Sequence, residues 1–316
     1  MTTKGDFLTM SDGAEIWTNK WLPDDVENIK AVIQLHHGLA EHSLRYDRLG
    51  SVLCENGYAL VAYDMRGHGR TAENAEKKGK GKFGKLADKN GFDRVVEDLH
   101  EMILNDKKEF SGKKVFLLGH SFGSFVSQGY IEKYSKDNEI QGCILCGTAG
   151  PMGALVAGGC VCTAIAKLLF GADSKLKFLS NLSFGSYNKR IPQKKTELDW
   201  LSKSEMNIQM YNDDAWCGIP LTTSFFYDMT HGLKKIHKPS NIKKISNDLP
   251  IFFIYGSEDP VGSYGTTITK LMNIYKANGV KNVSAKAYEG DRHEIFNEDD
   301  KEQVENDVIN WVNSLL

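Results

Sequence analysis

The sequence has no excess of charge of either sign. Its 39 lysines and arginines and its 41 aspartates and glutamates give a formal net charge of −2 at pH 7. Nucleic-acid binding needs a basic surface that neutralises phosphates, so we expect no nucleic-acid partner. Residues 1–6 also lack the apolar stretch of a secretory signal. We therefore predict a cytoplasmic protein.

The sequence also lacks a convincing disulfide or zinc framework. Its six cysteines include two close pairs, Cys143 with Cys146 and Cys160 with Cys162. The first pair lies in a strand pattern, where residues three apart point to opposite faces. Without a secretory signal the thiols are expected to stay reduced. We predict neither a disulfide nor a metal site.

The sequence also lacks a nucleotide-binding loop. The segment 79–86 matches GxGxxG and part of GxxxxGK, but it follows no strand pattern. It also ends in Leu86, where a P-loop has a serine or threonine that binds magnesium. We interpret 79–86 as a solvated, flexible loop whose lysines could attract anionic lipid surfaces, and we expect no cofactor.

The pattern of apolar residues predicts an α/β fold. Strand patterns alternate with helical patterns, which indicates a mostly parallel sheet covered by helices on both faces. An Asp-Gly turn at 12–13 predicts a hairpin of strands 7–10 and 14–21 before this alternation. The predicted strands are 31–36, 58–63, 114–119, 140–146, 250–255 and 282–288. The predicted helices are 45–56, 93–110, 122–134, 264–277 and 300–315.

The most informative motif is Gly119-His120-Ser121-Phe122-Gly123, which follows an apolar run and precedes a helical pattern. In that context GxSxG places its serine on a sharp strand-to-helix turn, with the hydroxyl above the C-terminal edge of the sheet. The glycines on either side relieve steric crowding. We interpret Ser121 as a nucleophile; the alternative is that it only caps the helix.

A serine nucleophile needs a base and a carboxylate that orients the base. In the α/β-hydrolase arrangement these follow the serine in the order acid, then histidine. Asp259 lies on a loop after a strand pattern, with Glu258 as its competitor. His293 follows the last strand pattern and is the predicted base. His231 and His237 lie in a lysine-rich region with no preceding strand, where we expect surface histidines.

Two backbone N–H groups should stabilise the developing oxyanion. The N–H of Phe122, directly after the nucleophile, is one candidate. The second should come from the turn after an early strand, and the strand pattern 31–36 runs into His37-Gly38-Leu39. We therefore predict the N–H of Leu39 as the second donor, with its side chain incidental.

Together these residues resemble the monoacylglycerol lipase and lysophospholipase group of α/β-hydrolases, the serine aminopeptidase S33 type. The resemblance runs from about residue 10 to the end of the sequence, except for a middle insertion. HGxxEHSxRY is its most specific element, since GxSxG is shared by most lipases and esterases. The motifs are His37-Gly38-Leu39-Ala40-Glu41-His42-Ser43-Leu44-Arg45-Tyr46, Asp64-Met65-Arg66-Gly67-His68-Gly69, Gly119-His120-Ser121-Phe122-Gly123, Gly256-Ser257-Glu258-Asp259 and Gly290-Asp291-Arg292-His293.

The resemblance implies an α/β-hydrolase fold with an inserted cap. It also implies a triad of Ser121, Asp259 and His293, and an oxyanion hole formed by the N–H groups of Leu39 and Phe122. It further implies that three residues lie near the alcohol side of the substrate: Glu41, Arg45 and His120.

The alternation of strands and helices stops in the middle of the chain. We predict that residues 1–150 and 223–316 form the hydrolase core and that residues 151–222 form a cap, or lid. The uncharged segment 151–166 opens this region; it is short for a membrane span and Lys167 closes it. It is expected to line an acyl pocket or to contact lipid surfaces transiently, and the alternative is a helix packed on the core.

The expected activity is hydrolysis of a small lipid ester, a monoacylglycerol or lysophospholipid, through an acyl-enzyme and without a cofactor or a protein partner. A short-chain carboxylesterase or an S33-type aminopeptidase could use the same triad. No acidic cluster is evident that would bind a free amino terminus, which disfavours the aminopeptidase. A non-catalytic binding module is disfavoured because the motifs are complete.

Overall fold

The computed structural model describes residues 1–316 as eight strands and eleven α-helices. The strands are β1 Thr2–Thr9, β2 Glu15–Leu22, β3 Ala31–His36, β4 Ala59–Tyr63, β5 Lys114–His120, β6 Gly142–Cys146, β7 Ile251–Gly256 and β8 Val283–Tyr288. The helices are α1 Asp47–Glu55, α2 Gly69–Lys77, α3 Gly91–Glu109, α4 Phe122–Tyr134, α5 Ala154–Phe170, α6 Lys177–Phe184, α7 Glu205–Asp213, α8 Thr223–Ile236, α9 Pro239–Ile242, α10 Thr266–Ala277 and α11 Lys301–Asn313.

All eight strands form one sheet in the order β1-β2-β4-β3-β5-β6-β7-β8. The six strands from β3 to β8 run parallel to one another, and the hairpin β1–β2 joins the edge of β4 in antiparallel pairing. The hairpin turn depends on Gly13, whose φ of 83° suits glycine. The predicted hairpin is present, and β1 begins five residues earlier than predicted.

The central strands are buried on both faces because helices cover each side of the sheet. Along β5, Val115 and Leu117 belong to one apolar core, while Phe116 and Leu118 belong to the other. Helices α3, α4, α8 and α10 contribute to the first core, and α1 and α11 to the second. Alternate side chains of a strand point to opposite faces, so continuous apolar runs fit this arrangement. The predicted α/β fold is confirmed.

The middle of the chain is helical and adds no strand to the sheet between β6 and β7. We call residues 151–222 the inserted segment; it contains α5, α6 and α7. That it forms a cap separate from the core stays a prediction. No helix of the protein combines the length and the apolar character that a membrane crossing requires.

Two local predictions were incomplete or wrong. Helices α2 and α8 lie in stretches for which no helix was predicted. The segment 79–86 is not a free loop: Leu86 is buried, the Gly84 carbonyl accepts hydrogen bonds from Thr222, and Lys82 and Lys85 pair with Asp173. These tertiary contacts hold a segment whose local composition favoured a solvated loop.

Candidate active site

Ser121 occupies the turn between β5 and α4 in a strained conformation. Its φ of 52° and ψ of −120° lie outside the regions that non-glycine residues usually adopt. The flanking glycines permit this turn. A Cβ at Gly123 would lie 2.1 Å from the His36 carbonyl oxygen, and one at Gly119 would lie 2.3 Å from Ser127 Oγ. The turn therefore brings α4 against the end of β3, next to the loop that follows it.

Asp259 and His293 meet beyond the ends of β7 and β8. Asp259 Oδ2 lies 2.9 Å from His293 Nδ1, and both side chains are buried. Asp259 Oδ1 accepts the N–H of Val261, which orients the carboxylate. Glu258, the competing acid, is exposed to solvent. The structure thus pairs His293 with Asp259 rather than with Glu258.

In the candidate triad, the histidine nitrogen that would take the proton of the serine makes no hydrogen bond. His293 Nε2 is buried and has no hydrogen-bond partner. Ser121 and His293 line the same cavity. An imidazole held through Nδ1 by a carboxylate presents Nε2 to a substrate or nucleophile, as a general base requires. The catalytic role of these three residues stays a prediction.

The other two candidate histidines do not line this cavity. They lie on α8 and at its C-terminal end, and both are half-buried rather than on the surface. His231 Nδ1 lies 2.8 Å from the Tyr227 carbonyl oxygen. Burial lowers the pKa of His237 to about 4. The expectation of surface histidines was wrong, because α8 packs into the core.

The loop after β3 presents the predicted oxyanion donor. The N–H groups of Leu39 and Phe122 donate to no other backbone group in turns or loops. His37 orients the peptide that carries the Leu39 N–H: its Nε2 accepts the Met65 N–H at 3.0 Å, so its Nδ1 carries the proton shared with the Gly38 carbonyl at 2.7 Å. Burial lowers the pKa of His37 well below its usual value, which keeps the imidazole ring neutral.

Glu41 holds the same loop from the other side. Its Oε1 accepts hydrogen bonds from the Gly38 N–H at 2.6 Å and from the Tyr46 hydroxyl at 2.9 Å, and lies 3.1 Å from His120 Nδ1. Burial opposes ionisation of both side chains, but it is outweighed by their mutual attraction and, for Glu41, also by the attraction of Arg45. The pKa of Glu41 is therefore well below its usual value and the pKa of His120 is raised.

Arg45 belongs to this buried network rather than to the cavity wall. Its guanidinium binds Glu294 through two hydrogen bonds of 2.7 Å and Glu41 through one of 2.9 Å. Asn207 bonds to both Arg45 and Glu294. Burial opposes the charge of Glu294, but Arg45 outweighs it and lowers the pKa of Glu294. Of the three residues predicted near the alcohol, Glu41 and His120 line the cavity and Arg45 does not.

A cavity of about 750 Å³ opens onto Ser121 and His293. More than half of its lining residues come from the inserted segment, and more than half of all lining residues are hydrophobic. Apolar residues of the segment in this wall include Leu155, Val156, Leu179, Leu182, Phe184 and Tyr187. The volume falls within the range of pockets that bury a small organic ligand. Such a space suits a long apolar chain attached to a reacting carbonyl.

Sequence reasoning missed Glu294, Asn207 and Tyr211. Glu294 directly follows the predicted base, which could have marked it. Asn207 and Tyr211 lie on α7, in the segment that matched no motif. Asn207 lies 162 positions along the chain from its partner Arg45, and Tyr211 lies 171 positions from its partner Ala40. No local pattern could have identified them.

One group of side chains could offer ligands to a metal. Donor atoms of His42, Asp214 and Cys217 lie within 4.8 Å of one another. His42 Nε2 already lies 2.8 Å from Asp214 Oδ2, and burial raises the pKa of the Cys217 thiol. The hydrogen-bonded pair gives this group a structural role, which links the loop after β3 to the inserted segment.

Comparison with known proteins gives consistent results. The family described as serine aminopeptidase, S33 matches residues 27–300. Monoglyceride lipase of Homo sapiens is 25% identical over 308 residues, covering 97% of this chain and 88% of that protein. Monoacylglycerol lipase of Mycolicibacterium smegmatis is 25% identical over 307 residues, covering 96% and 95%. A carboxyl esterase from Bacillus coagulans, solved in complex with glycerol, has a TM-score of 0.89 and 26% identity, covering 100% of this chain and 99% of that one.

Proposed function

Because this chain belongs to the serine aminopeptidase S33 family of α/β-hydrolases, we propose that it is a serine ester hydrolase that releases fatty acids from monoacylglycerols. The resemblance seen in the motifs is confirmed by the family match. The observation that carries the proposal is the cavity, which joins an apolar wall to Ser121 and to the His293–Asp259 pair. The monoglyceride lipases among its relatives and the glycerol held by its structural neighbour support the same substrate class.

In the proposed mechanism, His293 takes the proton of Ser121 as the hydroxyl oxygen attacks the ester carbonyl. Asp259 holds the imidazole in the required tautomer and stabilises its charged form. The N–H groups of Leu39 and Phe122 stabilise the oxyanion. His293 then gives the proton to the departing alcohol, and a water activated by His293 releases the fatty acid from the acyl-enzyme.

The buried charges argue against an aminopeptidase. The two carboxylates that line the cavity belong to Glu41 and Glu294. Both are neutralised by Arg45, and Glu41 is also paired with His120. A free amino terminus would have to displace one of these cations, at the cost of a buried unpaired charge.

A lysophospholipid is the second candidate substrate. Lys189 and Arg190 bring positive charge to the lining of the cavity, and the Arg190 guanidinium stacks 3.7 Å from the ring centre of Tyr264. A cationic group near an apolar acyl site could attract a phosphate headgroup. We expect this substrate to be favoured only if the headgroup reaches those two residues.

We also propose that the inserted segment contacts lipid surfaces transiently. Helix α5 exposes Val161, Ile165, Leu168, Leu169 and Phe170, and α6 exposes Phe178 and Leu182. Large contiguous apolar patches on a protein surface mark sites of interaction. These helices also line the cavity, so a lipid surface in contact with them would deliver substrate beside its entrance.

The test is turnover of a monoacylglycerol series from short to long chains, beside a lysophospholipid and an aminoacyl amide. We expect preference for long-chain monoacylglycerols and a loss of at least 10⁴-fold in kcat for Ser121→Ala, about the scale seen when a triad member is removed. Ser51→Ala, on α1 and outside the cavity, is the matched control. A serine-reactive phosphonate should label the wild type and Ser51→Ala but not Ser121→Ala.

Activity confined to short esters or to the amide would keep the nucleophile and contradict the lipid assignment. Equal turnover by wild type and Ser121→Ala would contradict the proposed nucleophile itself.

A further inference from the structure

The loop at residues 37–41, here called the oxyanion loop, is held from two directions. From the core, His37 and Glu41 hold the carbonyl and the N–H of Gly38. From the inserted segment, the Tyr211 hydroxyl and the Gly218 N–H both donate to the Ala40 carbonyl, each at 2.9 Å. Leu39 lies between the two sets of bonds. The Gly38 carbonyl belongs to the same peptide as the Leu39 N–H, and the Ala40 carbonyl lies two peptide bonds further along the loop.

Ala40 needs this support because of its backbone conformation. Its φ of 52° is in the left-handed region, which a residue with a Cβ adopts at a cost in free energy. Strained conformations of this kind persist only where surrounding contacts enforce them. The two hydrogen bonds on the Ala40 carbonyl act directly on this residue.

Tyr211 is itself held rigidly. Its side chain is buried, and the Arg45 guanidinium lies 4.9 Å from the centre of its ring. Arg45 is fixed in turn by Glu41 and Glu294. The same buried ion pairs therefore set the position of the Tyr211 ring and the position of Glu41 in the oxyanion loop.

We infer that Tyr211 is a positioning residue for the oxyanion hole, so that helix α7 of the inserted segment takes part in setting the direction of the Leu39 N–H. The inference rests on the proposed function. The Tyr211 hydrogen bond fixes the peptide between Ala40 and Glu41. Without it, rotation about the backbone bonds of Leu39 and Ala40 would be easier, and the Leu39 donor would meet the oxyanion less often in the required geometry.

The test compares Tyr211→Phe with Tyr227→Phe. Both substitutions remove only a hydroxyl from a ring that packs against a cation, since Lys167 lies 4.3 Å from the ring centre of Tyr227. Tyr227 lies outside the cavity. The substrate is p-nitrophenyl acetate, which is too small to need the acyl wall. Phosphonate labelling counts the active sites, so that kcat refers to folded enzyme alone.

We expect Tyr211→Phe to lower kcat about fivefold with KM little changed, the effect of one hydrogen bond. Affinity for a trifluoromethyl ketone, which forms an oxyanion on Ser121, should fall by the same factor, because it reports transition-state binding. Tyr227→Phe should match the wild type in both measurements.

Wild-type kcat and ketone affinity in Tyr211→Phe would overturn the inference while leaving the proposed function in place. A loss seen only in KM for long-chain esters would also overturn it, and would mean that Tyr211, which lines the cavity, acts on the acyl chain and not on the oxyanion hole. A wild type with no ester turnover would remove the proposed function, and the inference with it.

Discussion

His120 and Glu41 show how single buried charges support the site. Both side chains are almost fully buried, and each is the partner that makes the other's charge tolerable. Glu41 also holds the Gly38 N–H, so this pair links the residue before the candidate nucleophile to the oxyanion loop. Loss of the Glu41 charge would leave a charged His120 buried without its partner, a costly state, whereas Glu41 without His120 would still be paired with Arg45.

This pair predicts a pH dependence of stability. The pKa of His120 is raised in the folded protein, because the attraction of Glu41 outweighs the effect of burial. Its contribution to stability is therefore complete below about pH 6.5, the pKa of an unperturbed histidine, and is lost as pH rises through the folded value. We expect His120→Gln to lower the free energy of unfolding more at pH 6 than at pH 9.

Urea unfolding of both proteins at the two pH values measures this difference. A deficit of the same size at pH 6 and pH 9 would mean that His120 contributes through packing and not through its charge.

At the scale of elements, two exposed leucines of helix α5 lie in different places. Leu155 lines the cavity, whereas Leu168, which is 84% exposed, does not. From the sequence alone, a charged residue at either position is expected to impair hydrolysis of long-chain esters more than that of acetyl esters. The position of α5 in the structure separates the two residues, so the pair can distinguish binding of the acyl chain from contact with a lipid surface.

We expect Leu155→Asp to lower kcat/KM for long-chain monoacylglycerols at least tenfold more than for acetyl esters, because a charge in the cavity wall opposes burial of the chain. Leu168→Asp is the matched control and should keep the kcat/KM of the wild type on dispersed substrates. Its effect should appear as weaker co-sedimentation with phospholipid vesicles. Equal losses on acetyl and long-chain esters for Leu155→Asp would place that leucine in a structural role.

At the scale of the whole molecule, burial of Glu132 on α4 lowers the free energy of unfolding at neutral pH. This side chain is buried and its Oε1 has no hydrogen-bond partner. Burial raises its pKa to about 9. A carboxyl group with a raised pKa in the folded state contributes stability below its unfolded pKa of about 4.3, and this contribution is lost as pH rises through the folded value.

Glu132→Gln should therefore stabilise the protein by up to about 5 kcal/mol at pH 8, at about 1.36 kcal/mol for each pH unit above the unfolded pKa, and the gain should vanish at pH 4. Denaturant unfolding at the two pH values measures the change. A variant no more stable than the wild type at pH 8 would show that the folded protein accommodates the charge at that position.

The sequence by itself determined much of this protein, because the signals involved are local. Continuous apolar runs predicted the buried parallel strands, and GxSxG between a strand and a helix predicted the turn at Ser121. The order of motifs also indicated candidate residues that the fold brings to one edge of the sheet, including His293 and a choice of two acids. These features depend on the alternation of side chains along a strand and on the backbone freedom of glycine.

Only the tertiary structure decided which partners meet. It paired His293 with Asp259 and left Glu258 exposed. It placed Arg45 outside the cavity lining, where its guanidinium binds Glu294, 249 positions away. It brought Tyr211 of the inserted segment to the Ala40 carbonyl. These contacts follow from the packing of distant elements and the pairing of buried charges, and no short stretch of sequence contains both partners of such a contact.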